Sequence, residues 1–195
     1  MSFWDERYNQ NPESYGTEPN SYLKQYIDTL DLKEKNVMFP GEGEGRNSLY
    51  AASRGAHIFC FDSSKVVKEH ALKKYKKYNI QGSYVLASYS EYLMKDKFDY
   101  IFLIYCHCLP SISKVFYQNM KQSLRSGGRL YCLGYTKQQF GMNTGGPKNL
   151  EMLYCEDLEQ EFNLNLISKK VFKEDVNEGK FHKGQSHLIE LILEK

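Results

Sequence analysis

No stretch of this 195-residue sequence approaches the run of about 18 apolar residues that a membrane-spanning helix needs. The first ten residues, MSFWDERYNQ, carry acids where a secretory leader would carry an apolar segment. An intracellular, cytoplasmic protein without a membrane partner is the expectation. There are only five cysteines, an odd number, and none stands in a CxxC pair, so neither a disulfide framework nor a zinc ribbon is expected. Three of them lie in apolar runs, where a reduced, buried thiol is the simplest reading. Excess charge is also lacking: 26 Lys and Arg face 24 Asp and Glu, a net charge of +2. That balance argues against a nucleic-acid partner, because neutralising a phosphate backbone takes a strongly basic face. Repeats, Ser/Pro-rich linkers and low-complexity tracts are missing too, so no internal domain boundary is expected.

What the sequence does contain is a core. Hydrophobic residues make up 41% and aromatic residues 14%, led by 16 Tyr and 11 Phe. A single domain of this size buries about 70% of its unfolded surface. From residue 36 onward, short apolar runs alternate with helical patterns. Strands are expected at 36–39, 57–61, 83–87, 98–105 and 129–135. Helices are expected at 47–54, from a Ser63 or Ser64 cap to about 78, and at 111–124, with Gly127-Gly128 as the last helix stop. A short helical or irregular piece is expected at 91–95. The run FDYIFLIY at 98–105 is apolar without alternation, as in a parallel strand buried on both faces. Strands alternating with helices imply βαβ units in one doubly wound sheet. Past residue 135 come a loop rich in turn formers at 141–149, an acidic helix near 156–162, and long strand-like segments at 165–176 and 185–193. A hairpin turn at Asn177-Glu178-Gly179 would pair these two antiparallel.

The sharpest motif is Pro40-Gly41-Glu42-Gly43-Glu44-Gly45-Arg46-Asn47, between the first strand and the first helix of the sheet. Glycines there let the backbone turn tightly beside a ligand, and the helix N-terminus offers free N–H groups. Asp62 follows at the tip of the second strand, placed to accept hydrogen bonds from a ribose diol. Together they predict an adenosine-ligand site. A pyrophosphate in this turn would meet the carboxylates of Glu42 and Glu44, at a cost of several kcal/mol for like charges a few ångströms apart. A sulfonium cation meets no such cost. The spacing is also GxGxG rather than the GxGxxG of dinucleotide binders, so the loop favours S-adenosylmethionine over NAD.

At this point the sequence resembles the class I S-adenosylmethionine-dependent methyltransferases, in their thiopurine S-methyltransferase and tellurite-resistance-like branch. The resemblance rests on Trp4-Asp5-Glu6-Arg7-Tyr8, Tyr15-Gly16-Thr17-Glu18-Pro19-Asn20, the GEGEGRN loop, Asp62-Ser63-Ser64, Cys106-His107-Cys108-Leu109-Pro110, Ser126-Gly127-Gly128, Thr144-Gly145-Gly146-Pro147-Lys148 and Glu178-Gly179-Lys180-Phe181-His182. It covers nearly the whole chain. It implies a Rossmann-like seven-stranded α/β sheet with a C-terminal antiparallel hairpin. It further implies an N-terminal lid (1–30), a cofactor-binding core (36–135) and a substrate-side loop with the hairpin (136–195).

Carried over residue by residue, the resemblance puts Trp4, Arg7, Tyr15 and Gly16 around the methionine moiety of the cofactor. Gly41, Glu42 and Gly43 would pass beside it, Asp62 would take the ribose, and Ser63, Ser88 and Tyr89 would enclose the adenine. Tyr105 and His107 would face the sulfonium and the acceptor, with His107 a candidate base or polar contact. A metal at Cys106-His107-Cys108 is disfavoured, because alternate residues of an extended segment point opposite ways. Two departures stand out. Acids common in the class near the ends of the first and third strands are replaced by Met38-Phe39-Pro40 and by Ser88. The function expected is methyl transfer to a small acceptor, yielding S-adenosylhomocysteine. The alternatives are a non-catalytic module binding either ligand, and a nucleotide-dependent oxidoreductase. Oligomeric state stays open.

Overall fold

The computed structural model describes residues 2–195. Its centre is one seven-stranded sheet built from β1 (Asn36–Pro40), β2 (His57–Asp62), β3 (Gly82–Leu86), β4 (Phe98–Ile104), β5 (Leu124–Tyr135), β6 (Asn165–Glu178) and β7 (His182–Glu194). The strand order is β3-β2-β1-β4-β5-β7-β6, with the first five parallel and β7 antiparallel to both β5 and β6. The expected α/β architecture with a closing antiparallel pair is what the chain adopts. The order reverses between β1 and β4, which opens a crevice beyond their C-terminal ends.

The helices are α1 (Phe3–Gln10), α2 (Ser21–Asp28), α3 (Arg46–Ser53), α4 (Lys65–Lys77), α5 (Pro110–Ser123) and the short α6 (Glu159–Phe162). Ser64 caps α4 through its hydroxyl, which accepts from the Val67 N–H, and Pro110 starts α5 where no N–H is needed. Two clusters fill the two sides of the sheet. Leu23 and Ile27 of α2 pack with Phe39, Phe102 and Tyr131, while Phe116 and Met120 of α5 pack with Met38, Leu103 and Leu191. Strand β4, flanked by β1 and β5, is buried along most of its length, as its unbroken apolar run required.

Several local expectations need correction. Gly127-Gly128 does not stop a helix: α5 ends at Ser123, and both glycines lie within β5, at an irregularity in its pairing with β4. A Cβ at Gly128 would sit 2.9 Å from the carbonyls of Phe98 and Arg125, so glycine is needed for strand packing. The hairpin turn is 179–181, not 177–179. Asn177 and Glu178 still pair with Lys183 and His182, and both strands run longer than their apolar runs suggested. The acidic helix shrinks to Glu159–Phe162, while residues 91–95 are irregular, one of the two forms expected. Cys60, Cys106, Cys108 and Cys132 are buried free thiols, and Cys155 is exposed.

Candidate active site

The crevice at the β1/β4 reversal deepens into a cavity of about 800 Å³. All thirteen site residues expected from the sequence border it: Trp4, Arg7, Tyr15, Gly16, Gly41, Glu42, Gly43, Asp62, Ser63, Ser88, Tyr89, Tyr105 and His107. Its floor is the glycine turn. Gly41 has φ +59, and a Cβ there would lie 2.4 Å from the Tyr89 hydroxyl, so only glycine lets the turn and this ring share the space. Gly43 donates its N–H to Asp62 Oδ2 at 3.2 Å, and its carbonyl accepts from Tyr84 Oη at 2.6 Å.

Asp62 ends β2 with Oδ1 accepting from the Ser64 N–H at 2.9 Å. Burial raises its carboxyl above the usual carboxylate range, while the N–H groups of Ser64, Gly43 and Ser63 oppose that. Each oxygen accepts one of these bonds and keeps lone-pair capacity for another. The acids of the turn are engaged with the protein. Glu42 Oε1 accepts from the Ser48 N–H at 2.6 Å, and its burial pushes the carboxyl up to about 7. Glu44 accepts from the Glu13 N–H at 2.7 Å and pairs with His70 Nδ1 at 2.8 Å.

Helix α1 covers one side of the cavity. Its Asp5 accepts from the Ser64 hydroxyl at 2.6 Å and is held down to about 2, mainly by that bond, which ties α1 to the α4 cap. Trp4 and Arg7, one helical turn apart, share a face. The Arg7 guanidinium lies over the rings of Phe3, Trp4 and Phe181 and donates to Tyr15 Oη at 2.8 Å. It has no carboxylate partner among the described residues. Helix α2, by contrast, is fixed in the core.

The far wall holds a cluster of rings. Tyr105, just beyond β4, has φ +56, an uncommon conformation for a side chain of this size. Its ring stacks on Tyr135 at 4.9 Å and meets His182 edge-on at 4.4 Å, and Tyr15 closes on His182 at 4.6 Å. His107 does not have the freedom expected of a base. Its Nε2 accepts from the Tyr135 N–H at 3.0 Å, so Nδ1 carries the proton and donates to the Met152 carbonyl at 3.0 Å. Both nitrogens are committed, and burial pulls the ring down to about 4.

Sequence reasoning gave no place to Tyr135 as a wall residue, and His182, named only within a motif, is buried in the wall. It also missed a polar clasp beside the turn. Arg46 Nη2 meets Glu178 Oε2 at 2.5 Å, Glu178 Oε1 accepts from Asn20 Nδ2 at 2.6 Å, and the Asn20 N–H donates to Asn47 Oδ1 at 2.9 Å. The hairpin, the segment before α2 and the start of α3 are thereby joined.

The doubly wound sheet thus carries a glycine turn after β1, a carboxylate ending β2 and a deep cavity at the strand-order reversal, where open α/β sheets bind their ligands. Residues 37–128 match the methyltransferase domain family. A probable thiol methyltransferase 2 from Arabidopsis thaliana is 27% identical over 139 residues, which are 66% of this chain and 58% of that relative. The chain thus spans little more than half the length of that relative. TehB from Haemophilus influenzae superposes with a TM-score of 0.75 at 13% identity, covering 98% of this chain and 67% of that one. A structure described for the conversion of a disulfide bond into a thioacetal group during echinomycin biosynthesis superposes with a TM-score of 0.77 at 14% identity, over 98% and 90%. These structural likenesses are of fold. The central segment thus matches a methyltransferase domain, and the chain shares its fold with structures described as S-adenosylmethionine-dependent methyltransferases.

Proposed function

We propose that this protein transfers a methyl group from S-adenosylmethionine to a small acceptor, with a sulfur nucleophile the favoured kind. The observation that carries the reading is the join of glycine turn, Asp62 and Arg7, which has no carboxylate partner among the described residues, around one cavity. Asp62 holds lone pairs for a ribose diol, the missing Cβ atoms of Gly41 and Gly43 admit close approach, and Arg7 offers a cation for an amino-acid carboxylate. Ser63 and Ser88 border the adenine end, with Tyr89 stacked on Phe116 as its wall. When bound, the cofactor supplies a methyl group on a cationic sulfur, open to in-line displacement. The chain's own part is orientation and exclusion of water. Trp4 and Phe3 on α1 cover the opening, and the ring wall fixes the acceptor side. Holding two reactants in good geometry is worth roughly 7 to 11 kcal/mol. The relative that is a probable thiol methyltransferase supports a sulfur acceptor.

The test is thermal stabilisation. S-adenosylmethionine and S-adenosylhomocysteine at a hundred times their dissociation constants should add about 2.7 kcal/mol. Asp62→Ala should remove that gain. Stabilisation by NAD alone would refute the reading, and binding without turnover on a panel of thiols, amines and oxyanions would establish a non-catalytic binding module instead.

A further inference from the structure

Strand β6 ends the sheet, and β7 pairs with only one of its sides. Among the described residues its backbone bonds to no segment but β7. The Asp175 N–H, accepted at 3.3 Å by the neighbouring Glu174 Oε1, points away from β7. By alternation Lys169, Val171 and Lys173 also turn their N–H and C=O groups outward. The ladder is regular from Ser168 onward, past an irregularity at Leu166/Ser168. Along this open edge Ile167 is 53% and Val171 36% exposed. A long, partly apolar edge is a template for another strand. We infer that β6 pairs antiparallel with β6 of a second copy of this chain, with the two-fold axis at Phe172, so that two seven-stranded sheets join into one.

The register follows from parity and charge. Residues opposite each other must both turn their backbone groups outward or both inward, so odd-numbered residues face odd and even-numbered face even. With Phe172 opposite itself, Lys169 faces Asp175 and Lys170 faces Glu174, and symmetry makes each pair occur twice. Val171 lies against the stem of Lys173, and the two Phe172 residues meet at the closer spacing of a pair without hydrogen bonds. Sliding the copies by one step sets Lys169 opposite Lys173 in one direction and Lys173 opposite itself in the other. A second step sets Lys170 or Glu174 opposite itself. Like charges directly opposite are destabilising, so the pattern favours one register over its neighbours.

The charges have capacity for this pairing. Lys170 is held by Glu190 at 3.4 Å with its side chain 68% exposed. Lys169 bonds both oxygens of Glu159, at 2.8 and 2.9 Å, and has a third N–H. Glu174 and Asp175 are exposed on the same edge. Phe172 is steadied by the Tyr22 ring of α2 at 5.2 Å. Edge lysines by themselves discourage pairing. Here Lys169 and Lys170 are each answered by an acid at the mirror position, so the charges that oppose foreign strands and shifted registers admit a second copy. The inference is independent of the proposed methyl transfer, since none of the paired residues lines the cavity.

Sedimentation equilibrium tests this on the full chain, whose mass should approach twice 22.8 kDa at about 0.5 mM. Lys170→Glu sets a carboxylate against Glu174, and Glu174→Lys sets an ammonium against Lys170, each twice per dimer. Either variant alone should dimerise at least about tenfold more weakly than wild type. Mixed one to one, the two restore opposite charges at both places and should associate within about threefold of the wild-type constant. Asp175→Lys, at an exposed position facing Lys169, should weaken the dimer in the same way, and it decides the matter if circular dichroism shows that either of the others does not fold. Any mass other than the dimer's at about 0.5 mM overturns the inference. A dimer that none of the folded variants weakens by about threefold overturns it too, as does a mixture that associates no better than its separate components.

Discussion

Replacing Gly179 with Ala tests whether the hairpin and the segment after α1 meet as closely as described. Gly179 has φ +68, and a Cβ there would stand 2.5 Å from both the Gly16 nitrogen and the Ser14 carbonyl oxygen, and 2.7 Å from the Tyr15 carbonyl carbon. All three are backbone atoms, so no rotamer change relieves the contact. The left-handed conformation alone costs a side-chain-bearing residue about 1–2 kcal/mol. Overpacking against backbone adds about 1–3 kcal/mol. A total near 3 kcal/mol lowers the melting temperature of a domain this size by about 6–12 °C. Gly127→Ala is the internal control, because Gly127 has φ +70 and nothing within 4 Å of its would-be Cβ. It should show only the conformational cost, about 1–2 kcal/mol. The assay is urea denaturation of both variants, followed by S-adenosylhomocysteine binding, which only Gly179→Ala should weaken. Equal destabilisation of the two variants to within about 0.5 kcal/mol would refute the close crossing.

Three further outcomes are expected. Glu178→Ala leaves the half-buried Arg46 without its carboxylate partner, at a cost of about 2–3 kcal/mol in denaturant unfolding. Glu42 has a folded-state ionisation raised to about 7 by burial, so its favourable state is the protonated one, and the stability it contributes is lost as pH rises through 7. Glu42→Gln should therefore gain stability relative to wild type between pH 6 and pH 9, and an advantage that does not grow with pH would contradict this. His107 is depressed to about 4, so the unfolded chain binds its proton first and wild-type stability falls as pH drops from about 6.5 toward 4. His107→Gln should flatten part of that acid loss in unfolding curves, and should leave the pH profile of turnover unmoved.

Legibility in the sequence divides along local and non-local lines. Strands β1, β2 and β4 could be read because unbroken apolar runs and the glycine turn act within a few residues of themselves. Asp62 was legible for the same reason, being the last residue of its own strand. The commitment of His107 was not, since it depends on an N–H of β5 and a carbonyl of the 150–152 turn, 28 and 45 residues away. The burial of His182 was not legible either, because its place depends on where the hairpin turns. Gly179 marks that turn, yet whether it closes or opens the loop is decided by the backbone of Ser14–Gly16 pressing on it. The bulge at Gly127-Gly128 escaped because a glycine pair after a helix signals a stop just as well.

The Arg46–Glu178–Asn20 clasp bears on the order of assembly. Glu178 reaches partners 132 and 158 residues earlier in the chain. During synthesis the glycine turn and Asp62 emerge early and can fold locally, but the segment before α2 gains its far anchor only when the last hairpin has been made and docked at the sheet edge. Closing so long a loop brings its reward late. The cavity is therefore among the last parts of the molecule to be completed, and a nascent chain lacking β6 and β7 should hold its cofactor weakly, however well its first five strands have formed.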